Sequence, residues 1–356
     1  MKLSQEELQR AADKAEANFK LLWSFFSEDG RGMTLAGMDE VSENVISIVR
    51  NSFVVGTSPL YDIEFPLIGK PQMDISVGYF SNELPDDINL VGNDILNTKL
   101  YFDHYAELSR NSNYENEICH EFDASSGRIQ YSAFGYIPHI SFEEPRSLYK
   151  ARMEDYLTLV DQKHRTSKAI ELYEKSPEYW RPFYQGIFEG REDLPMRITW
   201  ILDDTSKNVY IDNQAQLERD LESIGVDFDR ETMIKPMLEF LQNEGKFEIQ
   251  VDMYEDGRLG STVGLACFPK EEYANNDNNK DFKKLIDFGM KYGVADERIS
   301  LLLPRSRQKT ITHYDDEKGV LHKQLFAGST NIKLKWKDNK MMPMKAYVFL
   351  RSYVSD

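Results

Sequence analysis

Lys333, Lys335 and Lys337 alternate with Ile332, Leu334 and Trp336, and Lys345 and Tyr347 alternate with Ala346 and Val348 soon after. A period of two is the strand period, so the cations of this hairpin fall on one face and the apolar residues on the other. If helices cover the apolar side, the ammonium groups point into an interior. Cations gathered in a low-dielectric space repel one another unless an anion satisfies them. Phosphate and diphosphate carry enough acceptor oxygens for such a set of donors. A half-exposed sheet with a solvated lysine face is the competing reading of the same pattern.

The alternation recurs upstream. Arg197 and Thr199 alternate with Ile198 and Trp200, and Arg128 and Gln130 with Ile129 and Tyr131. Glu248, Gln250, Asp252 and Tyr254 alternate with Phe247, Ile249, Val251 and Met253, while Asp74 and Ser76 alternate with Ile75 and Val77 after a strand bearing Glu64. Arg128, Arg197, Lys333, Lys335, Lys345 and Tyr347 are the candidate anion ligands. Glu64 and Asp252 are candidate proton acceptors. A cationic lining with a few carboxylates suits an anion together with a base or a metal ion.

The elements that must position these residues are hairpins separated by helical segments. Strand-like periodicity predicts hairpins over 60–80, 117–137, 196–211, 246–268 and 331–351. Helical periodicity predicts helices over 4–28, 38–52, 147–175 and 281–292, with 93–110 plausibly helical as well. Two more are expected after Asp212 and Asp229, which read as N-caps. Trp180, Tyr184 and Phe188, at i, i+4, i+8 spacing, read as a helical packing stripe, and 304–328 reads as a polar loop containing His313 and His322. The expected fold is α+β: a ten-stranded antiparallel β-barrel of five helix-flanked hairpins, helices outside. It forms a single domain over 1–356, with 1–55 an N-terminal helical segment packed on it.

The bulk numbers narrow the function. With 43 Lys and Arg against 60 Asp and Glu, the net charge of −17 disfavours nucleic acid and anionic membrane as partners. Apolar residues at 41% and aromatics at 12% are globular values. Two distant cysteines, Cys119 and Cys267, and no apolar leader point to a reduced, cytoplasmic, soluble protein. No Walker A, Rossmann glycine pattern, Gly-x-Ser-x-Gly or His-Glu-x-x-His is present. His120 with Glu121 and Asp123 only loosely resembles a metal cluster.

Five hairpins separated by helices, with charged inner faces, resemble the ABBA-barrel aromatic prenyltransferases. MDISVGYF is similar to the early strand on which some members carry a magnesium-binding aspartate, which would correspond to Asp74. The resemblance implies a lumen holding a prenyl diphosphate and an aromatic small-molecule or peptide acceptor, with Mg2+ as a possible cofactor. Arg128, Arg197, Lys333, Lys335, Lys345 and Tyr347 would hold the diphosphate, and Tyr79, Tyr131, Phe134 and Tyr254 would shield the carbocation. The role implied is natural-product biosynthesis. FEIQVDMYEDGRLGSTVGLACF and TNIKLKWKDNKMMPMKAYVFL also resemble a bacterial family without an assigned activity that accompanies peptide-tailoring genes. Two alternatives stay open: a non-catalytic peptide-binding barrel acting with partner enzymes, and a triphosphate-tunnel phosphohydrolase. The latter family's Glu-x-Glu-x-Lys is matched here only by Glu248-x-Gln250-x-Asp252.

Overall fold

The computed structural model describes residues 3–86, 88–91, 102–104, 106–107, 110, 116–123, 131–138, 146–188, 194–268, 280–302, 307–315 and 319–355. The N-terminal helix α1 (Gln5–Ser27) starts with a capping box: the Ser4 hydroxyl accepts from the Glu7 N–H, and the Glu7 carboxylate accepts from the Ser4 N–H. Phe19, Leu22, Trp23 and Phe26 form its buried stripe. Phe19 packs edge-on against Tyr61 at 4.7 Å and Phe26 stacks on Phe65 at 5.7 Å. Helix α2 (Glu43–Asn51), capped by Ser42, follows. Through Phe19 and Phe26, α1 lies against β2.

Among the described residues, fourteen strands form one two-stranded and one twelve-stranded antiparallel sheet. The small sheet pairs β1 (Phe53–Val54) with β4 (Leu90–Val91). The large one contains β2 (Leu60–Pro66), β3 (Asp74–Phe80), β5 (Asn116–Phe122), β6 (Tyr131–Pro138), β7 (Arg181–Ile187) and β8 (Met196–Leu202). It continues with β9 (Lys246–Met253), β10 (Leu259–Phe268), β11 (Arg307–Asp315), β12 (Gly319–Lys337), β13 (Lys340–Met341) and β14 (Lys345–Ser355). The order is β10-β9-β8-β7-β6-β5-β3-β2-β14-β12-β11, with β13 on β12. The sheet is curled and barrel-like. β10, at one end of the order, also pairs with β12, near the other end, with Gly264 opposite Lys335 and Ala266 opposite Lys333.

The two faces differ as the alternation requires. Tyr61, Ile63 and Phe65, Ile198 and Trp200, Phe247, Ile249 and Val251, Ile332, Leu334 and Trp336, and Ala346 and Val348 are buried in one apolar cluster that also takes in the α1 stripe. The opposite face carries the charged residues. Burying one Leu or Ile side chain such as Leu334 stabilises by about 1.5–3 kcal/mol, and the helix-covered face holds many such residues.

Several expectations are corrected. The partner of β8 is β7, not 208–211: Gly186 pairs with Arg197 and Gln185 with Ile198. Residues 208–211 lie in a helix (Asp204–Asp212) whose N-cap, Asp203, accepts from the Ser206 N–H at 2.7 Å. Tyr184 thus lies in a strand. Second, 304–328 is largely β11 and the first half of β12, and His322 is a strand residue in contact with the Thr312 hydroxyl. Third, 147–175 is two helices, Arg146–Leu159 and Thr166–Lys175, broken near Asp161, where φ is +56°. Asp212 does not cap the helix Gln214–Ser223; Asn213 precedes it without a side-chain cap bond. Asp229 does cap its helix, accepting from the Glu231 and Thr232 N–H groups. No helix among the described residues is long and apolar enough to cross a membrane.

Candidate functional site on the concave face

Strand register brings the sequence-predicted charged residues together. On β12 and β14, Lys333 lies opposite Lys345 and Asn331 opposite Tyr347. Tyr347 lies opposite Glu64 of β2, and Glu64 opposite Asp74 of β3. On the other side, Lys335 neighbours Gly264, Gly264 neighbours Gln250, and Gln250 neighbours Thr199. Arg197 lies opposite Asp252 and binds it through two hydrogen bonds, 2.9 and 3.2 Å.

Arg197 and Lys335 lie on strands three apart, a separation of about 14 Å in a flat sheet. Arg197 is nonetheless the largest charge acting on Lys335, lowering it, and Glu121 of β5 acts on Arg197 from the other direction. Curvature folds these side chains toward one another. Lys335, Tyr347, Asp62 and Glu117 keep partial solvent accessibility although burial is the leading influence on each. Lys337, one residue pair nearer the strand end, is exposed.

The cations fall into two kinds. Lys345 and Tyr347 both donate short hydrogen bonds to the Glu64 carboxylate. Burial lowers the Lys345 ammonium, but Glu64 raises it overall. Burial likewise raises the Glu64 carboxyl, yet Lys345, Lys335 and Lys333 hold it well below the usual carboxylate range. Arg197 is neutralised by Asp252. Lys333 and Lys335 are different: among the described residues neither has a carboxylate at ion-pair distance. Lys333 is 4% exposed, its ammonium 5.6 Å from the Tyr347 ring centroid. Burial and the charges of Lys335 and Arg197 hold it well below the usual lysine range. Burial, then Arg197, brings Lys335 to about 8.

The floor beside Arg197 is made of small residues. The register runs Arg197, Gly186, Gly135, Cys119, Gly78 across β8, β7, β6, β5 and β3. Gly264 extends the theme between Lys335 and Gln250; a Cβ there would sit 3.0 Å from Gln250 Oε1.

The other predicted residues divide. Tyr79 is not on this face: its hydroxyl accepts from the Val54 N–H at 3.0 Å and its ring meets Phe102 edge-on, so it belongs to the helix-side layer. The odd positions of β3 all turn that way. Tyr254 is half-buried just beyond β9, in the hairpin before β10. Arg128 lies outside the described residues. Tyr131 and Phe134 lie in β6, with Phe134 opposite His120 and Ile187, and their side chains lie outside what is described. His120 sits between Phe102 and Phe122, and burial lowers it to about 4.

Residues that the sequence reasoning missed are Asp62, Glu117, Glu121, Tyr184, Asn331 and Arg351. The signal for Asp62 was present, since it alternates with Glu64 in LYDIEFP. Asp74, set beside Glu64, is raised by burial and by Glu64 to about 7. Among the described residues no group of three or more His, Cys, Asp or Glu is placed to hold a metal ion. No family model matches this chain, and no curated protein matches it either.

Proposed function

We propose that the chain transfers a prenyl group from an allylic diphosphate to an acceptor held on the concave face, and that the curled sheet works as a closed ten-stranded barrel of the ABBA type. Support for closure comes from the β10–β12 pairing, which links one end of the strand order to the strand next to the other end. The observation that carries the activity is the buried Lys333 and the half-buried Lys335, neither with a carboxylate at ion-pair distance among the described residues, beside Arg197. An anion with several oxygens relieves both lysines at once, and Arg197, already held by Asp252, adds to the cationic field around it.

In this mechanism the allylic C–O bond breaks and its electron pair leaves with the diphosphate, whose growing charge Lys333, Lys335 and Arg197 stabilise. The aromatic faces of Tyr347 and Tyr184 shelter the allylic cation. The acceptor's electron pair forms the new bond to carbon, and its proton passes to a carboxylate. Glu64 and Asp252 are unsuited to that last step, because Lys345 with Tyr347, and Arg197, already occupy their oxygens. Asp74, poised near neutrality, takes the proton.

The test is incubation with dimethylallyl and geranyl diphosphates and a panel of phenols, indoles, amines and peptides, reading diphosphate release and product mass. Transfer that disappears in Lys333→Met and Lys335→Met is the expected result. Absence of both diphosphate binding and transfer across the panel overturns it.

A further inference from the structure

The wall formed by β2, β3 and β5 has the opposite character. Asp62, Ser76 and Glu121 lie in one cross-strand row, with Glu117 four residues before Glu121 on the same face and Asp74 two residues before Ser76. Among the described residues Asp62 receives one hydrogen bond, from the Thr330 hydroxyl at 3.1 Å. Glu121 raises Asp62, Asp62 raises Glu117, and Glu121 and Asp123 raise Asp74; in each case burial is the larger influence. Among the described residues Arg351 is the cation that lowers Glu117, and its guanidinium donates to Glu83 and lies over the Phe80 and Tyr353 rings. Lys345 acts on Asp74 but is bound to Glu64.

A second observation is independent of these carboxyls. Asn331, 8% exposed, pairs with Tyr347 and so shares the concave face, next to the Thr330 that bonds Asp62. Its side-chain oxygen makes no hydrogen bond. A buried amide oxygen without a donor, beside carboxyls crowded together without enough cations, marks a place short of donors. Glycine at 78 leaves room there: a Cβ would lie 3.1 Å from the Glu117 carboxylate.

We propose that this wall is a cation subsite, and that the acceptor brought to the prenyl donor carries a guanidinium or ammonium group bound by Asp62, Glu117 and the Asn331 oxygen. The inference rests on the transferase reading for the word acceptor, but cation binding is measurable without turnover. A guanidinium supplies five donors in a plane, enough for two carboxylates and an amide oxygen. A diphosphate on the lysine wall and a cation on the acidic wall then balance each other across the interior.

The experiment is calorimetric titration of the full chain with agmatine, with its uncharged urea analogue as control, at about pH 6 and about pH 8. Binding about tenfold tighter at the higher pH is expected, because the carboxyls ionise over that interval and the folded protein releases protons on binding. Asp62→Asn with Glu117→Gln is expected to weaken agmatine about tenfold or more while keeping its melting transition, since neutral isosteres remove buried charge. Asn331→Ala gives a smaller loss. Agmatine binding that is absent at both pH values, matched by the urea analogue, or unchanged in the folded double variant overturns the subsite. Inorganic pyrophosphate, titrated separately, reports on the lysine wall, so failure of the donor site and failure of the cation subsite are told apart.

Discussion

Lys345 and Lys335 stand on adjacent strands of the same concave face, yet one is satisfied by the protein and the other is not. Lys345 has Glu64 in contact and its ammonium is held above the usual range. Lys335 meets Arg197 and Lys345 as repelling neighbours and sinks to about 8. The difference separates charge that holds the fold together from charge that waits for a ligand. Breaking the first should harm the protein; removing the second should not.

The largest effect is therefore expected at the satisfied pair. Glu64→Ala leaves the half-buried Lys345 without its counter-charge and should destabilise by about 2–3 kcal/mol in urea unfolding. Lys335→Met should do the reverse, being neutral or stabilising by about 1–3 kcal/mol while pyrophosphate binding is lost. Equal destabilisation by both substitutions would erase the distinction.

pH sharpens it. Lys335 titrates at about 8 in the fold against 10.5 for an ordinary lysine, so the unfolded chain holds the extra proton between those values. Its cost is full below pH 8 and vanishes as pH rises through 10.5; the stability gap between wild type and Lys335→Met should close over that interval, by at most about 3 kcal/mol. The acidic wall has the opposite sign. Asp62, Asp74 and Glu117 are raised to about 6, 7 and 8, so their cost is absent below the ordinary carboxylate values and grows as pH climbs toward 8. The ligand-free protein should melt lower at pH 8 than near pH 5, and Asp62→Asn with Glu117→Gln should flatten that slope. The smallest effect belongs to Gly264→Ala, which crowds the Gln250 amide at a cost of about 1 kcal/mol and should weaken pyrophosphate several-fold.

Most of the polar face was legible because period two survives wherever one side of a strand must be apolar. The β12–β14 hairpin, β9–β10 and β2–β3 all read correctly for that reason. β7 did not, because a spacing of four satisfies the strand period as well as the helix period, and Trp180, Tyr184 and Phe188 gave no means of choosing. NVYI looked like a strand, but Asp203 starts a helix that sequence alternation could not reveal. β11 escaped because its residues are mostly polar on both sides: Gln308, Lys309, Thr310 and Thr312 are exposed, and Lys309 and Arg307 reach Glu28 and Asp29 at the end of α1. Which cations are satisfied was not legible at all, since Glu64 and Lys345 are 281 residues apart and only register makes them neighbours.

That distance has a further consequence. β14 fits between β2 and β12, so an early strand waits for a very late one before its edge is covered. During synthesis β2 and β3 leave the ribosome as a ribbon with bare peptide groups along one side, a template for unwanted aggregation. Assembly of the sheet should be slow, and chaperone capture of nascent chains should be strongest before residues 345–355 emerge.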